Sequence, residues 1–296
     1  MPLRGPPAGS PVTARTTVVI VTRDRREQLL STLARLQDTS GNPPVIVVDN
    51  ASSDGSPEAV RRHFPTADVV RSARNLGAAG RTLGVRRATT RWVAFSDDDS
   101  WWGPGALDRA TDCFEAHPRL ALLAARLLVG PAEHLDPVCL LMAASPLPRH
   151  DDLPGPSVLG FVACGSVVHR QAYLDVGGFS PILHFLGEEG MLAQDLAAGG
   201  WGLAYVDDVV AHHHPRPGVE RAGRRRLLAR NALLSSWLRR PLPIVLRDTT
   251  RVLRSGADPE LRGALLDATS QLPAVLRHRQ LLPPWVERDL RLLEDS

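Results

Sequence analysis

Four short apolar runs recur in the first hundred residues, and each gives way to a polar loop and then to a helix-period segment. Residues 17–22, TVVIVT, form a near-continuous β-branched run, as expected for a parallel strand buried on both faces. Residues 45–48 repeat the pattern and end in Asp49; residues 67–70 give a third strand. The fourth, 92–96 (WVAFS), ends in Asp97, Asp98 and Asp99. Between them, Leu29, Leu30, Leu33 and Leu36 stand at helical spacing in 27–37, and further helices are predicted at 57–63, from the Gly/Ala loop to about 88, and at 106–117. Pro104 takes the first helical position of the last. This alternation predicts βαβ units in a parallel α/β sheet.

The second half is less regular. Residues 120–129, 158–169 and 203–206 read as strands, and 130–156 is a Pro-rich irregular loop suited to shaping a substrate site. Glu188 and Glu189 open a helix that turns Met191, Leu192, Ala193 and Leu196 inward and stops at Gly199-Gly200. Residues 209–211 lead to His212, His213 and His214.

Composition narrows the class. With 43% hydrophobic and 23% charged residues the 296-residue chain is a soluble globular type, and no run approaches the roughly 18 apolar residues of a membrane span. Residues 1–15 predict a flexible tail rather than a secretory signal. Cys113, Cys139 and Cys164 have neither metal nor disulfide spacing, which fits a reducing cytoplasm. Every cation is arginine apart from the histidines. Residues 216–296 hold 16 Arg against 9 Asp and Glu, a net +7 within a chain total of +3, which leaves the preceding body at −4. An acidic body with a basic extension points to a catalytic domain followed by a segment attracted to an anionic partner.

Three carboxylates at the carboxyl end of a strand sit where open α/β sheets bind ligands. They repel one another unless a cation or a donor network holds them, and Mg²⁺ commonly shares such oxygens with phosphates. The plainer alternative is that they cap the following helix and face water. The loops after the first, second and fourth strands gather on one sheet edge and offer Thr22, Arg23, Asp49, Asp54 and Asp97 to a nucleotide. The loop RNLGAAGR adds Asn75, Gly77 and Arg81, with backbone amides at 77–80 placed for phosphates. It lacks the G-x-G-x-x-G order, which argues against a dinucleotide site, and close helix packing explains its glycines equally well. An acidic pair at a helix start is ordinarily structural, and a histidine triplet is either a solvated strand end or a metal ligand.

Taken in order, TVVIVTRDR, VIVVDNASSDGS, RNLGAAGR, WVAFSDDD, VGGF, GEEGMLAQDLAAGGWGLAYVDD and VVAHHHP resemble the family 2 glycosyltransferases of the GT-A fold, over roughly residues 16–215. The resemblance implies a Rossmann-like, mostly parallel sheet flanked by helices, with residues 216–296 as a basic helical extension. It implies an inverting hexosyl- or deoxyhexosyltransferase that moves a sugar from a nucleotide-diphosphate donor to an acceptor hydroxyl of an envelope, lipid-linked or secondary-metabolite acceptor. By position, Thr22, Arg23, Asp49 and Asp54 cradle base and ribose. The D-x-D pair, Asp97 and Asp99, holds Mg²⁺ or Mn²⁺ on the diphosphate, with His212 (His213 being one residue away) beside the metal. Glu189 aligns with the family's base and Glu188 with its neighbour. Glu-Glu replaces Glu-Asp, and Arg-Asp-Arg follows the first strand where many members carry Tyr-Asn.

Other readings exist for these residues. A metal-dependent nucleotidyltransferase would carry a basic Gly-rich loop after the first strand, which TRDRREQ is not; a metal-dependent hydrolase could use the carboxylates and histidines, but HExxH is absent and the ligands are spread among nucleotide-type loops. A non-catalytic sugar-nucleotide-binding relic is the non-enzyme alternative. In the extension, Leu227, Leu228, Ala232, Leu234 and Leu238 alternate with Arg224, Arg225, Arg226, Arg230, Arg239 and Arg240 in a basic amphipathic helix over 216–240. Either its leucines pack on the catalytic domain, or it holds a cytoplasmic enzyme peripherally on anionic membrane. One aromatic, Trp237, is too few for a nucleic-acid platform.

Overall fold

The computed structural model describes residues 14–37, 42–215, 223–254 and 258–296. The first half builds as the alternation requires: β1 (Thr16–Thr22), α1 (Arg26–Gln37), β2 (Val45–Asp49), α2 (Ser56–His63), β3 (Asp68–Arg71), α3 (Gly80–Arg87) and β4 (Trp92–Asp97). Then come β5 (Ser100–Trp102), α4 (Ala106–Ala116), β6 (Leu120–Val129), β7 (His134–Leu135), α5 (Pro137–Ala143), β8 (Ser166–His169), α6 (Arg170–Asp175), α7 (Glu188–Ala198) and β9 (Gly202–His213). One sheet joins the strands in the order β3-β2-β1-β4-β8-β6-β9-β5, with β7 on β6. β1, β2, β3 and β4 run parallel, as do β6 and β9, while β8, β7 and β5 pair antiparallel. Because β1 lies between β2 and β4, the strand order reverses there, and a crevice opens beyond their carboxyl ends. Register aligns Thr22 with Asp49 and Val21 with Asp97, so the three loops meet at one edge. The strands are apolar throughout because both faces are covered: Val18, Val19, Ile20, Val93, Ala94 and Phe95 are all fully buried.

Several expectations change. Residues 158–169 form a strand only at Ser166–His169; before it, Val158, Phe161 and Ala163 are buried in irregular backbone and a 3₁₀ turn, Ala163–Gly165. An apolar run needs burial, not a sheet partner. The helix after the aspartates begins at Ala106, behind Gly105 in the left-handed conformation (φ 68°), so Pro104 lies outside it. Asp98 and Asp99 turn straight into β5, a strand too short to show periodicity. The 130–156 segment contains β7 and α5, whose first turn is capped by Asp136 accepting from Val138 N at 2.9 Å. Residues 203–206 and 209–211 are one strand, β9, interrupted by a bulge between Val206 and Val210.

The extension folds as five helices among the described residues: α8 (Arg224–Arg239), α9 (Leu242–Arg254), α10 (Pro259–Thr269), α11 (Leu272–His278) and α12 (Pro284–Asp295). Leu233, Leu234, Trp237 and Leu238 of α8 share a buried cluster with Leu183 and with Met191 of α7. Four of the six arginines expected to face lipid have carboxylate partners: Arg225 with Asp258 (2.6 Å), Arg226 with Asp267 (2.7 Å), Arg239 with Asp195 (2.5 Å) and Arg240 with Glu287 (2.6 Å), while Arg224 is exposed. Leu234 and Leu238 thus pack as one alternative had it, but Leu228 is 43% exposed, and Arg239 and Arg240 are buried rather than turned to water. Residues 216–222 of the proposed basic helix, and residues 1–13 of the proposed tail, lie outside the described residues. Arg15 pairs with Asp112 and Glu115. Among the described residues no helix is long and apolar enough to cross a membrane. The three cysteines are free thiols.

Candidate active site

The three aspartates divide their work. Asp98 turns inward: it accepts from Thr22 Oγ1 and from Arg25 Nη1, both at 2.9 Å, and its carbonyl accepts from Thr32 Oγ1 at 2.8 Å. Burial pushes its carboxyl up to about 6 against the pull of Arg25, with the charges of Asp99 and Asp97 adding to the rise. Asp97 is the most open of the three, while Asp99 is nearly as enclosed as Asp98. Asp97 pairs with Arg81, and Asp99 lies 3.0 Å from Arg25 Nη1 and 3.4 Å from His213 Nε2. Burial opposes the charge on both Asp99 and His213, but their mutual attraction outweighs it, holding Asp99 below and His213 above the ordinary value.

The histidine facing Asp99 is therefore His213. His212 points to the other face of β9, stacked on Trp101 with ring centroids 5.3 Å apart. Its Nδ1 is 3.1 Å from Glu133 Oε1 without the alignment of a hydrogen bond. Side chains alternate along a strand, so a one-residue ambiguity exchanges the two faces. Register fixes the choice: β5 pairs Ser100 with His213 and Trp101 with His212.

Several candidate nucleotide contacts are occupied by their own loops. Asp54 accepts from Ser56 N and Oγ and from Arg26 N, which makes it the clasp between the β2–α2 turn and the start of α1. Asn75 Oδ1 accepts from Gly77 N, Ala78 N donates to His184 O, and the Gly77 carbonyl accepts from Asn50 Nδ2. The amides of Gly77 and Ala78 are thus spent inside the protein. Gly77 has φ 59° and a Cβ there would collide with the His184 backbone; a Cβ on Gly80 would press on the side-chain amide of Asn50. Close packing, the alternative reading of this loop, accounts for these glycines. Thr22 is committed to Asp98, and Arg23 is half-exposed beside Asp24. Asp49, fully buried, accepts from Ser52 N and stands 3.5 Å from Arg71. Arg25, close to the expected Arg23, is the residue that grips the acidic turn; its place directly after the first strand was the available signal.

The glutamate pair faces the same region. Gly187 in the left-handed conformation (φ 83°) starts α7, so Glu188 and Glu189 occupy its first turn. Glu188 is 2% exposed and its Oε2 has no hydrogen-bond partner. Burial, then the neighbouring Glu189, pushes its carboxyl up to about 7. Burial also raises Glu189, against a backbone donor at Ala163 and the charge of Arg81. Arg81, only 4% exposed, joins the halves: it pairs with Asp97 and its charge is held by Asp97, Glu189 and Glu188 against the cost of burial. Its Nε is also unpartnered. A cation and an acid, both buried with an open hydrogen-bonding position, mark a place built for a polar ligand. A separate cavity of about 530 Å³ among α7, α8, α9 and α12 is lined by Arg240, Arg247, Asp248 and Glu294, which satisfy one another.

Known proteins carry the same arrangement of chain. The family model described as "Glycosyl transferase family 2" matches residues 17–177, more than half of the sequence. An N-acetylglucosaminyl-diphospho-decaprenol L-rhamnosyltransferase of Mycobacterium tuberculosis is 27% identical across 78% of this chain and 88% of its own. A pre-mycofactocin glycosyltransferase of the same species is 31% identical across 71% of this chain and 44% of its own. Among solved structures, the mannosyltransferase PcManGT from Pyrobaculum calidifontis, in complex with GDP-Man and Mn²⁺, superposes with TM-score 0.60 and 20% identity over 97% of this chain and 87% of its own. TarS of S. aureus with UDP-GlcNAc gives 0.57 and 13% over 75% and 66%. At those identities the likeness speaks for the fold. The chain belongs to glycosyl transferase family 2 and is a nucleotide-sugar glycosyltransferase of the GT-A fold.

Proposed function

We propose that the enzyme transfers its sugar by a single displacement that inverts the anomeric centre, with Glu189 taking the proton from the acceptor hydroxyl. The observation that carries this reading is the glutamate pair, Glu188 buried and Glu189 half-buried, coupled through the charge of Arg81 to Asp97 at the crevice. Burial keeps the Glu189 carboxylate basic, which suits a general base, and a positioned base contributes typically 10²–10⁴-fold. Glu188, enclosed and without a partner on Oε2, holds a proton near neutrality and limits the charge of the pair. Arg81 keeps Asp97 and the glutamates in one electrostatic unit. Asp97 and Asp99, with His213 in place of His212, would hold Mg²⁺ or Mn²⁺. Hard carboxylate oxygens with one imidazole fit such an ion. Two carboxylates and one imidazole are too few to complete the coordination of such an ion, so phosphate oxygens of the donor would supply the rest. The ion, when bound, would neutralise charge on the departing diphosphate. The Mn²⁺ that accompanies GDP-Man in the mannosyltransferase complex supports the assignment.

The mycobacterial rhamnosyltransferase, named for a lipid-linked acceptor, supports an acceptor of that kind, which would bring the enzyme to a membrane surface. Since Arg225, Arg226, Arg239 and Arg240 of α8 are paired, such contact would fall to α9, where Leu242, Leu246 and Leu253 share one face and are 66%, 65% and 59% exposed, with Arg254 beside them. Anionic and neutral vesicles compared for wild type and Leu246→Ser test that contact; equal binding of both proteins removes α9 from it. The test of the reaction is to incubate the protein and Mn²⁺ with UDP-, GDP- and dTDP-linked sugars and a hydroxyl acceptor, and to read the product by NMR. Opposite anomeric configuration to the donor is expected; retention would end the single-displacement reading.

A further inference from the structure

The loop that delivers the glutamate pair is held in an uncommon backbone path. His184 and Leu186 have φ of 63° and 71°, and Gly187 has 83°. Left-handed conformations of non-glycine residues persist only when their surroundings impose them, and they concentrate at functional sites. Here the surroundings come from the extension. The buried Asn231 of α8 directs its side-chain amide nitrogen at three loop carbonyls: Leu183 at 3.0 Å, Phe185 at 2.7 Å and Leu186 at 2.6 Å. Arg230 Nη1 donates to Asn231 Oδ1 at 2.8 Å, which fixes the amide's orientation, and Arg230 Nη2 reaches the Ile182 carbonyl at 3.2 Å. On its other side, the His184 carbonyl accepts from Ala78 N at 2.7 Å, so the segment leading into α3, which carries Arg81, is tied to the same loop. The far end of α7 is fastened by Arg239 and Asp195 at 2.5 and 2.9 Å.

We infer that Asn231, oriented by Arg230, is a positioning residue for transfer: by clamping the 182–186 carbonyls it sets the start of α7 and so the placement of Glu188 and Glu189. The C-terminal extension is on this account part of the catalytic apparatus. A lone asparagine in an arginine- and leucine-rich helix is costly to bury without partners, and this one donates to the loop and accepts from Arg230. The inference rests on the catalytic reading of the glutamate pair.

Asn231→Leu keeps the volume and removes the donors; Arg230→Gln releases the orienting contact with less disturbance of the core. For both, nucleoside diphosphate release from UDP-, GDP- and dTDP-linked sugars with Mn²⁺ is measured beside nucleotide affinity and amide hydrogen exchange. A misplaced base costs roughly tenfold to hundredfold in kcat. With that loss the clamp predicts nearly unchanged nucleotide affinity and faster exchange confined to residues 183–189, more marked in Asn231→Leu. Wild-type kcat in a folded variant, or unchanged exchange in that segment, overturns it. If Asn231→Leu does not fold, Arg230→Gln alone must show the paired change in kcat and exchange, and failure to do so overturns it as well. Glu189→Gln, run alongside, separates the two claims. Wild-type turnover in Glu189→Gln would refute the catalytic reading itself, while loop exchange in the Asn231 variant still reports the clamp.

Discussion

The crevice at β1 and β4 and the helical extension use the same charged residue types to opposite ends. In the extension Arg226, Arg239 and Arg240 each make two-pronged contacts with carboxylates, and their charges are balanced. In the crevice Arg81 and Glu188 are more deeply buried yet each keeps a polar atom without a partner, and the carboxyls of Asp98, Glu188 and Glu189 are raised rather than lowered. Balanced pairs fix geometry. Unbalanced ones hold reactivity and need a ligand to complete them. The contrast separates support from chemistry in a chain where charge alone does not.

Breaking a balanced pair that is enclosed is expected to produce the largest change in stability. Arg239→Met leaves the half-buried Asp195 without its partner, a loss of up to roughly 3 kcal/mol, the lower end for a broken buried pair; a denaturant midpoint unchanged from wild type would show that the pair is idle. In the crevice, Asp99→Asn is nearly isosteric and is expected to leave the fold intact while removing transfer, a loss of at least about 3 kcal/mol on the scale of one electrostatic contact. Full activity in EDTA would contradict the assignment behind it.

Glu188 sharpens the contrast through pH. Its carboxyl is raised from 4.5 to about 7, so the folded state holds the proton longer than the unfolded state does. Its contribution is fully present below about pH 4.5 and is lost as pH rises through about 7, at up to roughly 1.4 kcal/mol per pH unit. Glu188→Gln is expected to gain stability relative to wild type between about pH 5 and 8. A constant difference across that window would mean that the carboxyl titrates normally. The smallest effect belongs to Arg226→Gln, on the exposed pair with Asp267, where the melting midpoint and turnover should both stay at wild-type values.

Much of this arrangement was legible in residues. The strands β1, β2 and β4 announce themselves because apolar β-branched runs must be buried on both faces, and their polar ends then fall on one edge. The acidic turn and the glutamate pair could be picked out by type and order. What escaped depended on partners distant in sequence. β5 is three residues long and exists through its pairing with β9. Whether His212 or His213 meets Asp99 is set by that register. Asp54, Asn75 and Gly77 look like ligand contacts until their loop partners are seen. Asn231 gives no local signal, since its meaning lies in carbonyls some 45 residues earlier.

The most direct test of the account is Glu189→Gln, with turnover and nucleotide affinity measured on the same preparation. The substitution keeps size and hydrogen bonding but removes the base, so kcat is expected to fall by about 10²–10⁴-fold while nucleotide affinity holds, the pattern of an interaction made in the transition state. Turnover near wild type, or a loss that appears in nucleotide affinity alone, would contradict the placing of the chemistry at this pair.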